Sequence, residues 1–172
     1  MERLAGFAGI TKDDVVLDVG CGDGRSLLHL ASTVGCRGVG IDIDEELVGT
    51  ARCAARAAVA QAQFEQGAVR FEVADMCTAL ERYLAGVSVI LLYLIADALV
   101  LLHPHLRAAL RSHGDAGRVR VVTQVYHYDF EAQRTRPLAD DPNWKLRMFS
   151  GQAFESGNLA SKMSEHAVTI ST

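Results

Sequence analysis

The sequence has little of several features, and each scarcity excludes or disfavours a class of protein. Its four cysteines form no CxxC pair and follow no secretory leader, so we expect reduced thiols in an intracellular compartment, cytoplasmic or mitochondrial. The most apolar stretch, residues 87–102, is shorter than the roughly 20 residues of a transmembrane helix. A basic excess is also missing, since 17 Lys and Arg face 21 Asp and Glu, which makes nucleic acid a less favoured partner.

What is present has the composition of a globular protein, with 49% hydrophobic and 22% charged residues. Short runs rich in Val, Ile and Leu predict strands that are buried on both faces of a parallel sheet. These strands are residues 15–19, 38–42, 69–73, 87–93 and 118–125. The segments between them predict helices at 26–31 (ending near Gly35), 45–63 and 76–84, a turn at 96–102, and a new helix from Pro104, because proline is costly inside a helix.

This alternation predicts an α/β fold with a doubly wound, mostly parallel, Rossmann-like sheet. The end of the chain differs, because Trp144–Phe149 and His166–Ile170 resemble strands with no helix between them. They predict a C-terminal antiparallel hairpin at one edge of the sheet. Residues 1–10 have helix character and are expected to pack near the first strand.

Acidic residues stand at three of the predicted strand ends. Asp18 precedes a turn rich in glycine (residues 20–24), Asp42 ends the second strand 20 residues after Gly22, and Asp75 follows the third. Doubly wound sheets bind ligands at the carboxyl ends of their strands, and a carboxylate at this offset meets ribose hydroxyls. The pattern therefore predicts a nucleoside site.

A nicotinamide dinucleotide is the obvious competitor, but its glycine pattern would require a glycine where Arg25 stands. A charged Asp23 in the same turn would also repel a pyrophosphate. These two residues favour a ligand with a nucleoside and no phosphates.

Residues 17–24, LDVGCGDG, resemble motif I of the class I (seven-strand) S-adenosylmethionine-dependent methyltransferases. The likeness covers about the first 125 residues and implies S-adenosyl-L-methionine as the cofactor. It also implies one methyltransferase domain over 1–172, made of an N-terminal helix (1–12), a cofactor-binding core (13–126) and a C-terminal loop and hairpin (127–172). Carried over by position, it implies these contacts: Asp18 near the cofactor amino group, Gly20, Cys21 and Gly22 along its methionine part, Asp42 at the ribose, Ile43 against the adenine, and Asp75 with the Met76 backbone at the adenine edge.

An amine that accepts a methyl group must first lose a proton, so a base near the acceptor would help. Tyr93 and Asp129 are our candidates, followed by Asp97, Tyr126 and His127. Each has a plainer explanation, because Tyr93 could be a wall residue, Asp97 a helix cap, and the residues after strand five a solvated strand end. The cysteines and histidines show no metal-ligand spacing, so no metal site is predicted.

A narrower likeness bears on the acceptor. Residues 18–25, 90–95 and 103–106 resemble the small methyltransferases related to the ATP synthase c-subunit lysine methyltransferase. This implies a protein lysine side chain as acceptor, while a small molecule stays open and ribosomal RNA is less favoured. A second hypothesis is a methyltransferase-like scaffold or assembly factor with little or no catalytic activity. The oligomeric state is not indicated.

Overall fold

The computed structural model describes residues 2–112, 114, 116–125, 139–143, 146–152 and 154. Its helices are α1 (Glu2–Ala8), α2 (Arg25–Val34), α3 (Glu45–Ala60), α4 (Met76–Tyr83) and α5 (Ala96–Ser112). Its strands are β1 (Val15–Val19), β2 (Arg37–Asp42), β3 (Val69–Val73), β4 (Val89–Leu92), β5 (Arg120–Gln124), β6 (Ala139–Asp141) and β7 (Leu146–Ser150). A short 3-10 turn, Ala116–Arg118, precedes β5.

The seven strands form one sheet in the order β3-β2-β1-β4-β5-β7-β6. Strands β1 to β5 are parallel, and β7 runs antiparallel to both of its neighbours. The chain moves outward from β1 to β3 and then returns to the other side of β1 at β4. This reversal of direction opens a crevice at the carboxyl ends of β1 and β4, where such sheets bind ligands. The predicted doubly wound, mostly parallel sheet is confirmed.

Helices cover both faces of the sheet, and the hydrophobic core therefore has two parts, one on each face. Leu17 and Val19 of β1 face the side covered by α4 and α5, and Val16 faces the side covered by α1, α2 and α3. This alternation follows from the pleat of a strand, in which successive side chains point to opposite faces. Asp18 therefore shares its face with Val16, below α1 and α2.

The predicted break at Pro104 is wrong, because α5 runs without interruption from Ala96 to Ser112. A proline inside a helix costs about 3 kcal/mol through its missing N–H and its clash with the preceding turn. Here Pro104 lies on the exposed side of α5, and fully buried leucines anchor the helix to the core on both sides of it, namely Leu99, Leu102, Leu106 and Leu110. Burial of one such side chain contributes about 1.5–3 kcal/mol, so the leucines together outweigh the proline.

The antiparallel pair near the C-terminus is confirmed, but its predicted partner is wrong. Strand β7 pairs with β5 on one side and with β6 on the other, which leaves no edge of β7 for His166–Ile170. That predicted strand lies outside the described residues. The sequence signal failed because β6 is three residues long and includes Asp140 and Asp141, so it shows no apolar alternation.

Candidate functional site

Two glycines of the turn between β1 and α2, Gly20 and Gly24, lie too close to neighbouring side chains for a Cβ in the present arrangement. Gly20 has φ +75°, and a Cβ there would overlap Leu94 Cδ2. A Cβ at Gly24 would lie 2.6 Å from the Phe71 ring, which also packs against Gly40 in the middle of β2. The ring of Phe71 thus supports the turn from below. Sequence reasoning missed this support, although a glycine inside a strand often indicates close packing of this kind.

Asp42 connects the end of β2 to the glycine turn. One carboxylate oxygen accepts a hydrogen bond from the Gly22 N–H at 2.8 Å, and the other accepts from the Asp44 N–H at 3.0 Å. Each oxygen keeps a second lone pair, so the carboxylate can still accept hydrogen bonds from a diol. Asp42 therefore has a structural role in addition to the ligand contact that the sequence predicted for it.

Asp18 is the most buried acid of the site, with 3% of its surface exposed. Burial, followed by the nearby charge of Asp42, raises the pKa of its carboxyl to about 7. Within the described part of the chain its carboxyl takes part in no hydrogen bond or ion pair. An ionised carboxylate in such a place is stabilised by a cation, so Asp18 is suited to bind a positively charged group.

The residues predicted to contact adenine lie beyond Asp42, at the ends of β2 and β3. Ile43 is 73% exposed, which is unusual for a large apolar side chain and leaves its surface free to contact a flat ring. Asp75 is the N-cap of α4 and accepts a hydrogen bond from the Cys77 N–H at 2.8 Å. Met76 begins α4 and is partly buried against the core.

Two side chains of the glycine turn have simpler roles. Cys21 is buried, and burial together with the charges of Asp18 and Asp42 raises the pKa of its thiol far above neutral pH, so the thiol is not a nucleophile there. Asp23 pairs with Arg25 at 2.6 Å. Hydrogen bonds from Arg25 lower the pKa of Asp23, which therefore stays ionised, but the arginine offsets its charge. The expected repulsion of a pyrophosphate is accordingly weaker than the sequence suggested.

The acceptor side of the crevice follows β4. Tyr93, the first residue after the strand, is 61% exposed, and Asp97 is an exposed residue in the first turn of α5. Asp129, Tyr126 and His127, which the sequence also proposed as bases, lie outside the described residues. The structure therefore brings Asp18, the glycine turn, Asp42, Asp75 and Tyr93 to one edge of the sheet.

These features fit S-adenosylmethionine, which carries an ammonium group, a sulfonium, a ribose diol and an adenine. Asp18 offers a buried carboxyl to a cation, Asp42 has free lone pairs for a diol, and exposed Ile43 lies directly after Asp42. Among the described residues, no group of three or more His, Cys, Asp or Glu could hold a metal ion. No helix within those residues is both long and apolar enough to cross a membrane.

The strand order and the acidic strand ends define the class of the chain, the class I S-adenosylmethionine-dependent methyltransferases. Residues 16–114 match the methyltransferase domain family, and the chain belongs to that family. It is thus an enzyme with S-adenosylmethionine as its cofactor, and these two predictions are confirmed. A search of curated proteins finds no significant match.

Several solved structures share the fold. An RNA methyltransferase from Salinibacter ruber, in complex with S-adenosylhomocysteine, is 29% identical, with a TM-score of 0.65 and 95% of each chain covered. The rRNA methyltransferase aviRa from Streptomyces viridochromogenes is 13% identical, with a TM-score of 0.58 over 89% of this chain and 82% of that one. An S-adenosylmethionine-dependent methyltransferase from Thiobacillus denitrificans, also with S-adenosylhomocysteine, is 20% identical, with a TM-score of 0.52 over 81% of this chain and half of that one.

Proposed function

We propose that the enzyme methylates an amine that is cationic in solution and loses its proton in the site, with the ε-amino group of a protein lysine as the acceptor. The observation that carries this proposal is the acidity of the crevice edge. Apart from Asp23, whose charge Arg25 offsets, seven acidic side chains lie at or just after the carboxyl ends of β1 to β4: Asp18, Asp42, Asp44, Glu45, Glu46, Asp75 and Asp97. Arg25, the first residue of α2, is already paired with Asp23. Such an edge attracts a cationic substrate and repels a polyanion.

The cofactor contacts are part of the same proposal. Asp18 binds the amino group of the methionine part, which extends along Gly20, Cys21 and Gly22. Asp42 accepts hydrogen bonds from both ribose hydroxyls. Ile43 packs on the adenine, and the Asp75 side chain with the Met76 backbone binds the adenine edge.

When bound, S-adenosylmethionine supplies a methyl group already activated by the positive charge of its sulfur. The protein has to hold the acceptor in line with that methyl group, and positioning of this kind can supply about 7–11 kcal/mol. The acceptor must be a neutral amine at the moment of transfer, so its proton has to leave. Tyr93 is exposed at the end of β4, where its hydroxyl can relay that proton, and Asp129 stays our second candidate.

The test is transfer of a tritiated methyl group from S-adenosylmethionine to lysine-containing peptides and, in a parallel reaction, to total RNA. We expect peptide label that is removed by protease and resists ribonuclease. Asp42→Ala should abolish labelling and cofactor binding, whereas Tyr93→Phe should slow labelling without weakening S-adenosylhomocysteine binding. RNA label with no peptide label would overturn the lysine proposal.

A second candidate acceptor is RNA, because the Salinibacter ruber structure, 29% identical over 95% of both chains, is that of an RNA methyltransferase. The acidic edge argues against it, since a protein that binds RNA gains affinity by neutralising phosphates. The ribonuclease arm of the same experiment separates the two acceptors.

A further inference from the structure

Two rows of side chains run across the strands on the face of the sheet that carries Asp18. The first row contains Asp18 itself, and the second lies nearer the carboxyl edge of the sheet. The parallel register places Asp18 beside Leu91, and Leu91 beside Val122. Because side chains alternate along a strand, Tyr93 and Gln124 follow Leu91 and Val122 on the same face. The register also places Gln124 next to Tyr93, since Leu92 pairs with Thr123.

A small cavity connects these two rows. It measures about 10 Å³, and its polar lining comes from Asp18, Ser26, Tyr93 and Gln124, with leucine and valine side chains as the remaining walls. A space of this size holds about one water molecule or one small polar group. Within the described residues the Gln124 carboxamide forms no hydrogen bond. Its oxygen and its two N–H groups are therefore available to a ligand in the crevice.

The backbone directly after Gln124 is strained. Val125 has φ +71°, a left-handed conformation that costs a β-branched residue about 1–2 kcal/mol. This residue directly follows β5, whose pairing with β7 stops at Gln124 and Leu146. Strain of this kind is found most often at functional sites, where the surrounding structure compensates for it. Gln124, directly before the strained residue, is the last residue of β5 and lines the cavity.

From the shared cavity, the strand register and the strain at Val125 we infer that Gln124 binds the methyl acceptor and selects for a neutral amine. The inference rests on the proposed amine acceptor. The Gln124 carboxamide oxygen accepts a hydrogen bond from an N–H of the amine and orients its lone pair toward the methyl group. Before the transfer the ammonium form gives one proton to water, directly or through the Tyr93 hydroxyl. The lone pair of the neutral amine then forms the N–C bond, and the electron pair of the broken S–C bond stays on sulfur, which leaves a methylammonium and a neutral thioether.

The choice of glutamine over an acid has a chemical reason. A carboxylate at this position would stabilise the ammonium form, which has no lone pair and cannot attack. A carboxamide is uncharged at every physiological pH, so it holds the amine without favouring the protonated form. Asp18, which also lines the cavity, is assigned to the cofactor amino group instead.

The experiment compares wild type with Gln124→Ala and Gln124→Glu, using a glycine–lysine–glycine tripeptide as the probe. Gln152→Ala is the matched control, because Gln152 is exposed and follows β7 near the amino end of β5. For each protein we would measure kcat, KM for the tripeptide and their pH profiles, together with the affinity of S-adenosylhomocysteine. Tripeptide binding to the S-adenosylhomocysteine-loaded protein, followed by NMR, adds a readout that is independent of turnover.

We expect Gln124→Ala to raise KM and the tripeptide Kd about tenfold, the effect of one lost hydrogen bond, with unchanged S-adenosylhomocysteine affinity. Gln124→Glu should bind the tripeptide more tightly, yet its kcat should fall about tenfold at pH 7.5 and recover as the pH rises. The control should match wild type. If wild type transfers no methyl group to the tripeptide or to longer lysine peptides, the amine proposal fails and this inference fails with it. If wild type transfers and Gln124→Ala keeps the wild-type KM, only the inference about Gln124 is overturned.

Discussion

Two aspartates at the two ends of β1 differ in almost everything except their burial. Asp14 precedes the strand and is 7% exposed, while Asp18 lies near its carboxyl end and is 3% exposed. Asp14 accepts hydrogen bonds from the Thr11 N–H at 2.8 Å and the Ser88 hydroxyl at 2.6 Å, and it forms an ion pair with Arg120. Asp18 has none of these partners within the described residues.

Their titration differs accordingly. Burial raises the pKa of Asp14, but the hydrogen bonds from Ser88 and Thr11 and the charge of Arg120 outweigh it, so the net pKa is lowered. Burial raises the pKa of Asp18 to about 7, and Asp42 adds to the rise instead of opposing it. This difference indicates that a buried acid with partners stabilises the fold, whereas a buried acid without partners is available to bind a cation.

The largest effect on stability should come from a substitution of Asp14, the aspartate whose carboxylate has hydrogen-bond and ion-pair partners. Arg120 also donates to the carbonyls of Ala8 and Gly9, so the Asp14–Arg120 pair joins the end of α1 to β1 and β5. Asp14→Ala leaves a largely buried guanidinium without its carboxylate and should lower the free energy of unfolding by about 3–5 kcal/mol in urea denaturation. Cofactor affinity of the folded protein should stay at the wild-type value.

The matched control is Asp13→Ala, because Asp13 is the exposed neighbour of Asp14 in sequence. Its unfolding curve should match that of wild type. An Asp14→Ala protein as stable as this control would show that the amino-end network does not hold the sheet together.

A substitution of Asp18, the aspartate without such partners among the described residues, should weaken cofactor binding and leave the fold intact. Asp18→Asn removes the charge that we assign to the cofactor ammonium, which corresponds to about 1.5–3 kcal/mol, or roughly ten- to a hundredfold in S-adenosylhomocysteine affinity by calorimetry. At pH 8 the variant should be at least as stable as wild type, since no buried carboxylate has to ionise. Wild-type affinity in this variant would remove Asp18 from the site.

Much of this site could be predicted from local sequence, and much of the rest depends on distant contacts. The glycine turn, Asp42 and Asp75 follow apolar runs directly, so each could be placed at a strand end without knowing the sheet. The Asp14–Arg120 pair could not, because it joins residues 106 positions apart. The role of Gln124 was missed for the same reason, since only the pairing of β4 with β5 brings it beside Tyr93.

The two aspartates should also give opposite pH dependences. The lowered pKa of Asp14 stabilises the fold above its unfolded value of 3.8, and this contribution is lost as the pH falls through the lower folded value. The contribution of Asp18 to stability changes with pH in the opposite direction. Between about pH 4 and about pH 7 the folded protein keeps a proton that the unfolded chain has already lost, so stability declines as the pH rises through this range. Thermal unfolding of Asp18→Asn should lack that decline.

Cofactor affinity should also depend on whether the Asp18 carboxyl carries its proton. If the ammonium binds ionised Asp18, the affinity for S-adenosylhomocysteine should fall up to tenfold for each pH unit below about 7 and level off above it. The Asp18→Asn variant should be nearly independent of pH over the same range. Equal slopes for the two proteins would assign the linked proton to another group.

The smallest effect on stability should come from the more exposed pair of Asp23 and Arg25, which can be compared directly with the largely buried pair of Asp14 and Arg120. Asp23 and Arg25 are 2.6 Å apart, closer than many pairs, but their side chains are 31% and 78% exposed. Water screens such a pair and competes for its hydrogen bonds, so the distance alone contributes little to stability. Asp23→Asn should therefore unfold at the wild-type denaturant midpoint, while Asp14→Ala does not. A clear loss of stability in Asp23→Asn would show that the glycine turn, and not only the amino-end network, helps to hold the fold.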